Sequence, residues 1–200
     1  MKLFCSLTSP YARKVRVALR EWNLADRVEE VIADPWTNPA QLHACNPLGK
    51  VPALLTDAGW TLPDSRLILD YLLDLQRQPD GSNEAADWGS ARHAQLADGV
   101  MDAAVAMVVE TKKRPAEYRW QGWLDRQQAS IARTLDALET EAATLQEDKA
   151  GLAEISLACG LAYLDNRFPG IDWRDCRPGL TLWYGTFSRR PSMIETQPPT

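Results

Sequence analysis

The sequence predicts an α/β module over residues 1–77 followed by an all-helical module over residues 88–200, joined by a linker at 78–87. Three observations predict this. Strand-like and helix-like patterns alternate through the first third of the chain. A polar stretch with the turn Pro79-Asp80-Gly81 then interrupts them. Beyond it the apolar spacing is helical only, which argues for a separate helical bundle. Two hundred residues, 45% hydrophobic and 24% charged, are enough to build two such cores.

Residues 1–5 read as a short strand, followed by the loop Ser6-Leu7-Thr8-Ser9. A helix is expected from Pro10, because proline suits the first helical position and Ser9 can cap it. Ala12, Val15, Leu19 and Trp22 form its apolar stripe, with Arg13, Lys14, Arg16 and Arg20 mostly off it. A second strand follows near residues 28–32, then a loop punctuated by Pro35 and Pro39 and a short helix at 40–45. The turn Asp57-Ala58-Gly59 predicts a hairpin between residues 53–56 and 60–62. Pro52 belongs at the first position of its strand or on a sheet edge. A helix then starts at Asp64 or Ser65, with Leu67, Ile68, Tyr71, Leu72 and Leu75 on its apolar side. The order β-α-β-α-β-β-α is thioredoxin-like. In the second module, helices are expected over residues 88–113, 117–146, 152–167 and 180–190.

The formal net charge of −5 argues against a general nucleic-acid binder, which needs a basic footprint. The longest uncharged apolar stretch, residues 155–164, is far shorter than the roughly 20 residues of a membrane span. The apolar run at the N-terminus is too short for a secretory signal. Cys5, Cys45, Cys159 and Cys176 show no CxxC spacing and read as free thiols. With only His43 and His93 available, no metal site is expected. Together these features point to the cytoplasm.

Three segments carry candidate chemistry. In Thr8-Ser9-Pro10-Tyr11-Ala12-Arg13-Lys14, Ser9 is either a plain helix cap or a hydroxyl that holds an anion at a helix N-terminus. In Asn46-Pro47-Leu48-Gly49-Lys50-Val51-Pro52, a cis bond before Pro52 is possible, and Val51 would then offer its backbone to an extended peptide. The alternative is an edge-strand proline with no ligand. In Pro63-Asp64-Ser65-Arg66, Ser65 either caps the next helix or binds a carboxylate there, while Asp64 can accept from an amino group.

The three segments in this order resemble those of bacterial cytosolic glutathione transferases, and Ser9-Pro10-Tyr11-Ala12 stands where glutaredoxins carry Cys-Pro-Tyr-Cys. The resemblance extends to Leu152-Ala153-Glu154-Ile155-Ser156-Leu157-Ala158, Gly160-Leu161-Ala162-Tyr163-Leu164-Asp165 and Arg190-Pro191-Ser192. It implies a glutathione transferase, with glutathione as cosubstrate and a small hydrophobic electrophile as its target, acting in detoxification. Ser9 would favour the thiolate of glutathione. Val51, before Pro52, would pair with its cysteinyl backbone, Asp64 and Ser65 would take its γ-glutamyl end, and Lys50 would reach its glycyl carboxylate. The same likeness implies a homodimer. The alternative it leaves is a non-catalytic ligand carrier or adaptor. Met101, Val105, Met107, Val108, Trp120 and Trp123 are candidates for the electrophile pocket, although such residues at helical spacing are more often core.

Two departures from the family pattern stand out. Asp64 replaces the more usual glutamate with a shorter acid. Gly151 and Glu154 replace a Ser/Thr…Asp capping box, so part of the reciprocal cap is lost. Cys5 is either a small buried residue or, as in some relatives with a cysteine in this region, a covalent partner for glutathione.

Overall fold

A computed structural model describes residues 1–76 and 87–199, so nearly all of the expected linker at 78–87 lies outside the described residues. The chain divides into two units, Met1–Ala86 with Arg190–Thr200, and Asp87–Arg189.

In the first unit, β1 (Lys2–Cys5), β2 (Glu29–Ile32), β3 (Ala53–Leu55) and β4 (Thr61–Pro63) form one sheet in the order β2-β1-β3-β4. β1 runs parallel to β2 and antiparallel to β3, and β3 is antiparallel to β4. The helices α1 (Pro10–Glu21), α2 (Ala40–Cys45) and α3 (Ser65–Asp74) complete the thioredoxin-like order. β3 is an interior strand, not an edge. Pro52 is tolerated because it stands just before the ladder begins and has no N–H to contribute to it.

The predicted stripe of α1 is buried, as helical period requires: Ala12, Val15, Leu19 and Trp22 all lie in the core. Its charged residues, although mostly off that stripe, do not form a solvated face. Arg13, Lys14 and Arg16 are buried too. The reason is that α1 is covered on a second side. The Arg13 guanidinium donates to the carbonyl of Met193 at 2.9 Å, and Arg16 donates to Glu30 at 2.6 Å.

The segment 190–200 is therefore a correction: expected in the second module, it belongs to the first unit. Its helix α8 (Pro191–Glu195) is tied to α1 through Arg13 and through Arg190, which donates to Glu21 at 2.9 and 2.7 Å. In α3, Ile68 and Leu72 are buried as expected. Leu67 instead faces solvent at 47% exposure, and Leu69 takes the core position.

The second unit consists of α4 (Trp88–Val108), α5 (Gln121–Thr140), α6 (Leu152–Arg167) and α7 (Pro178–Phe187). α6 keeps its predicted bounds and is buried from Ala153 to Leu164, the central helix of the unit. Gly160 faces α4, where an added Cβ would make ordinary contact with the Met101 side chain at 3.5 Å and the Ala97 carbonyl at 3.6 Å. Gly151 caps α6 with no side-chain bond, and the Glu154 carboxylate turns back to accept from the Gln146 backbone at 3.4 Å. α5 is shorter than the expected 117–146, because 3₁₀ turns at Ala116–Tyr118 and Ala142–Thr144 flank it, and α7 starts two residues before and ends three before the expected 180–190. α4 passes into a π-helical turn, Val109–Lys113, which ends the run at the predicted residue.

Candidate functional site

Register brings the three sequence segments together. Phe4 of β1 pairs with Ala53 of β3, and Ala53 pairs with Pro63 of β4. The end of β1, the start of β3 and the end of β4 therefore lie in one row across the sheet. Ser9 follows β1 after a short turn, Val51 and Pro52 lead into β3, and Asp64 and Ser65 leave β4. All three segments occur at that same end.

Ser9 is the N-cap of α1, and its Oγ accepts from the Ala12 backbone N–H at 3.2 Å. A hydroxyl that accepts still has its own proton to donate, so the cap and an anion-holding role are compatible. α1 carries no acidic residue in its first turn. The positive end of its backbone dipole is thus left uncompensated by the helix itself.

The Val51–Pro52 bond is cis, and both residues are buried. The loop before them is held by Asn46, a buried side chain whose Nδ2 donates to the Lys50 carbonyl at 2.9 Å and whose Oδ1 accepts from Leu48 N at 3.0 Å. Sequence reading missed Asn46, although Asn-Pro is itself a turn signal with this self-bonding habit. Lys50 is exposed.

At the third segment the structure corrects the cap. Asp64, not Ser65, is the N-cap of α3, accepting from Arg66 N at 2.7 Å. Ser65 is the first helical residue and is buried. Asp64 holds φ at +76°, a conformation that costs a non-glycine residue energy and that collects at functional sites.

Cys5 ends β1 and is fully buried. Burial, reinforced by the Glu30 carboxylate, pushes its thiol up to about 11, so little thiolate forms near neutral pH. Burial also acts to raise Glu30, but the Arg20 and Arg16 guanidiniums outweigh it and hold the carboxyl below its ordinary value. A cavity of about 500 Å³ opens at the opposite end of α1 from Ser9, lined by Arg20, Glu21, Arg190, Ser192 and others. None of the three segments lines it. Among the described residues, no group of three or more His, Cys, Asp and Glu is placed to hold a metal ion, and no helix is long and apolar enough to cross a membrane.

Of the electrophile-pocket candidates, Met101 and Met107 are core residues of the second unit. Trp120 and Trp123 are not: they stack on one another with centroids 6.5 Å apart, and Trp120 is 67% exposed.

Comparison with known proteins follows the same division. The model of the glutathione S-transferase N-terminal domain matches residues 8–75, and that of the C-terminal domain matches residues 121–186. The chain is 35% identical over its full length to the uncharacterized GST-like protein YibF of Escherichia coli K12, covering 99% of that protein. A glutathione transferase family member from Pseudomonas fluorescens Pf-5, solved with bound glutathione, is 42% identical with a TM-score of 0.89, covering 100% of this chain and 99% of its own. A glutathione S-transferase from Methylobacillus flagellatus KT, also with glutathione bound, is 34% identical with a TM-score of 0.87, and the match covers 99% of each chain.

Proposed function

The chain belongs to the glutathione S-transferase family, and from that membership we propose that it binds glutathione at the Ser9 end of its sheet and conjugates it to a small hydrophobic electrophile. The observation that carries this reading is the convergence of Ser9, Val51–Pro52 and Asp64–Ser65 on one row of the sheet. The glutathione-bound relatives support it. Ser9 donates to the glutathione sulfur and favours its thiolate, helped by the N-terminal dipole of α1. The Val51 backbone pairs with the cysteinyl residue, Lys50 meets the glycyl carboxylate, and Asp64 with Ser65 takes the γ-glutamyl end. With a chlorinated nitroaromatic, the C–S bond forms as the C–Cl bond breaks; chloride leaves and the thiol proton passes to solvent.

The reading includes a homodimer acting in the cytoplasm on reactive electrophiles. Thiol transfer through Cys5 is disfavoured by the burial and raised pKa of that group. The test is spectrophotometric conjugation of 1-chloro-2,4-dinitrobenzene by wild type and Ser9→Ala. We expect a rate well above the uncatalysed one, falling about a hundredfold to a thousandfold in the variant, as for loss of one donor to a developing anion. The pH profile of the variant should move upward as thiolate becomes harder to form. A wild-type rate equal to the uncatalysed one across several electrophile classes would leave only the binding-protein alternative.

A further inference from the structure

The loop that leads into β3 contains a side chain that makes more bonds than its turn requires. Asn46 is the C-cap of α2, is 1% exposed, and has all four of its polar groups engaged between residues 42 and 50. Its backbone N–H donates to the Leu42 carbonyl at 2.6 Å, and its own carbonyl accepts from Gly49 N at 2.9 Å. Its Oδ1 accepts from Leu48 N at 3.0 Å, the bond by which an asparagine, aspartate or serine side chain closes a turn on the backbone two residues on. Any of the three would serve that turn. The remaining bond, from Nδ2 to the Lys50 carbonyl at 2.9 Å, needs an amide. Aspartate has no proton to donate, and serine has a single oxygen for both contacts.

The Lys50 carbonyl and the Val51 N–H belong to one planar peptide unit, and that unit is trans. In a trans unit the two groups point in opposite directions. A Lys50 carbonyl drawn inward to a buried side chain therefore turns the Val51 N–H away from Asn46. Among the described residues, neither the Val51 N–H nor its carbonyl makes a hydrogen bond. Backbone groups left in this state are what an extended peptide pairs with.

The rest of Val51 is fixed. Its side chain packs in one apolar cluster with Phe4, Leu42, Cys45 and Ala53, and β3 begins two residues on. The sheet thus holds Val51 from one side along the chain and Asn46 holds it from the other. Gly49 keeps the intervening turn narrow: its φ is +63°, and a Cβ there would lie 3.3 Å from Nε2 of His43. All of these residues belong to the first unit.

We propose that Asn46 is the positioning residue of the glutathione site: by holding the Lys50 carbonyl it aims the Val51 N–H at the cysteinyl carbonyl of glutathione, which Asn46 itself does not touch. The role rests on the proposed glutathione site. A peptide unit already aimed needs no ordering when the ligand arrives, so the bond from Asn46 is expressed as affinity.

The probe is S-methylglutathione, whose binding followed by calorimetry needs no thiol chemistry, beside conjugation kinetics with 1-chloro-2,4-dinitrobenzene. Asn46→Asp keeps the size of the side chain and the acceptor for Leu48 N, but removes the donor to Lys50 and sets an anionic oxygen against its carbonyl. The variant should bind S-methylglutathione about tenfold more weakly, with KM for glutathione raised by the same factor, the scale of one hydrogen bond. Its kcat at saturating glutathione should stay within about twofold of wild type, because only binding common to ground and transition states is lost. Asn46→Gln carries both groups a methylene further out and should weaken binding in the same direction, which keeps the test decisive where aspartate prevents folding. A lower melting temperature with unchanged KM in both variants overturns the role and leaves Asn46 as a turn residue. A kcat that falls while KM holds also overturns it. Wild type that binds neither S-methylglutathione nor glutathione removes the glutathione site and the role together, whereas binding by wild type with equal affinity in the variants removes the role alone.

Discussion

Glu21 closes α1 with a carboxylate that accepts from Arg190 and from the Ser192 hydroxyl. The bond from Arg190 is the chief reason its carboxyl is held below the ordinary value of 4.5, with burial opposing. A carboxylate whose folded pKa is depressed contributes stability that is fully present above its unfolded pKa. That contribution is lost as pH falls through the folded value. Glu30, depressed by Arg20 and Arg16, acts with the same sign. Wild-type melting temperature should therefore decline as pH drops below about 4.5, and Glu21→Gln should show a shallower decline. At neutral pH the same substitution should cost about 2 kcal/mol in urea unfolding, the scale of hydrogen bonds to a charged group. A profile identical to wild type would show that the Arg190 pair contributes nothing. Ser9 belongs to this scale as well. Its capping role was legible from Ser-Pro alone, whereas nothing in its own segment distinguished a cap from a thiol-holding hydroxyl.

At the scale of elements, α8 is the one whose placement matters most. It is only five residues long, too short to persist by itself in water, so it exists because it packs. Met193 and Thr196 are buried against the first unit, and Arg13, one turn into α1, reaches the Met193 carbonyl at 2.9 Å. Ending the chain after Arg189 strips the donors and the buried face from α1 together. We expect the first unit of such a chain to unfold at clearly lower urea, while the amide protection of α6 in the second unit is retained. Equal loss of protection in both would show that the segment serves the whole chain rather than its own unit. Some element boundaries were readable: Pro10 starts α1 as expected, and the 152–167 helix needed only its apolar density. Others were not, since α7 starts at Pro178 rather than at residue 180 and α8, which starts at Pro191, was not expected as a separate helix. Asp64 escaped, because sequence offers two adjacent capping residues and the choice between them depends on a backbone conformation with positive φ.

For the whole molecule, the open quantity is the number of chains. Trp60 and Leu67 in the first unit and Trp88 in the second remain exposed in a single chain. Apolar surface of this kind is what association covers, and the family reading supplies a second copy as the partner. Sedimentation velocity should give a species of about twice the 22.4 kDa chain mass, and a species at that chain mass would remove the homodimer from the proposal.

The sequence by itself determined the two-module plan, the β-α-β-α-β-β-α order and the three segments that converge. Caps, prolines and apolar periods act over a few neighbouring residues and leave local marks. Only the tertiary structure decided that Arg13, Lys14 and Arg16 are buried and that residues 190–200 return to the first unit. It also decided that Trp120 is exposed and stacked on Trp123 rather than core. Each of these depends on partners far away in the chain, such as Glu21 with Arg190, or on the space left by a missing Cβ at Gly122. Ser9 shows both sides of this division: its own segment made it a cap, and the pairing of Phe4, Ala53 and Pro63 put it at the end of the sheet where Val51 and Asp64 also stand.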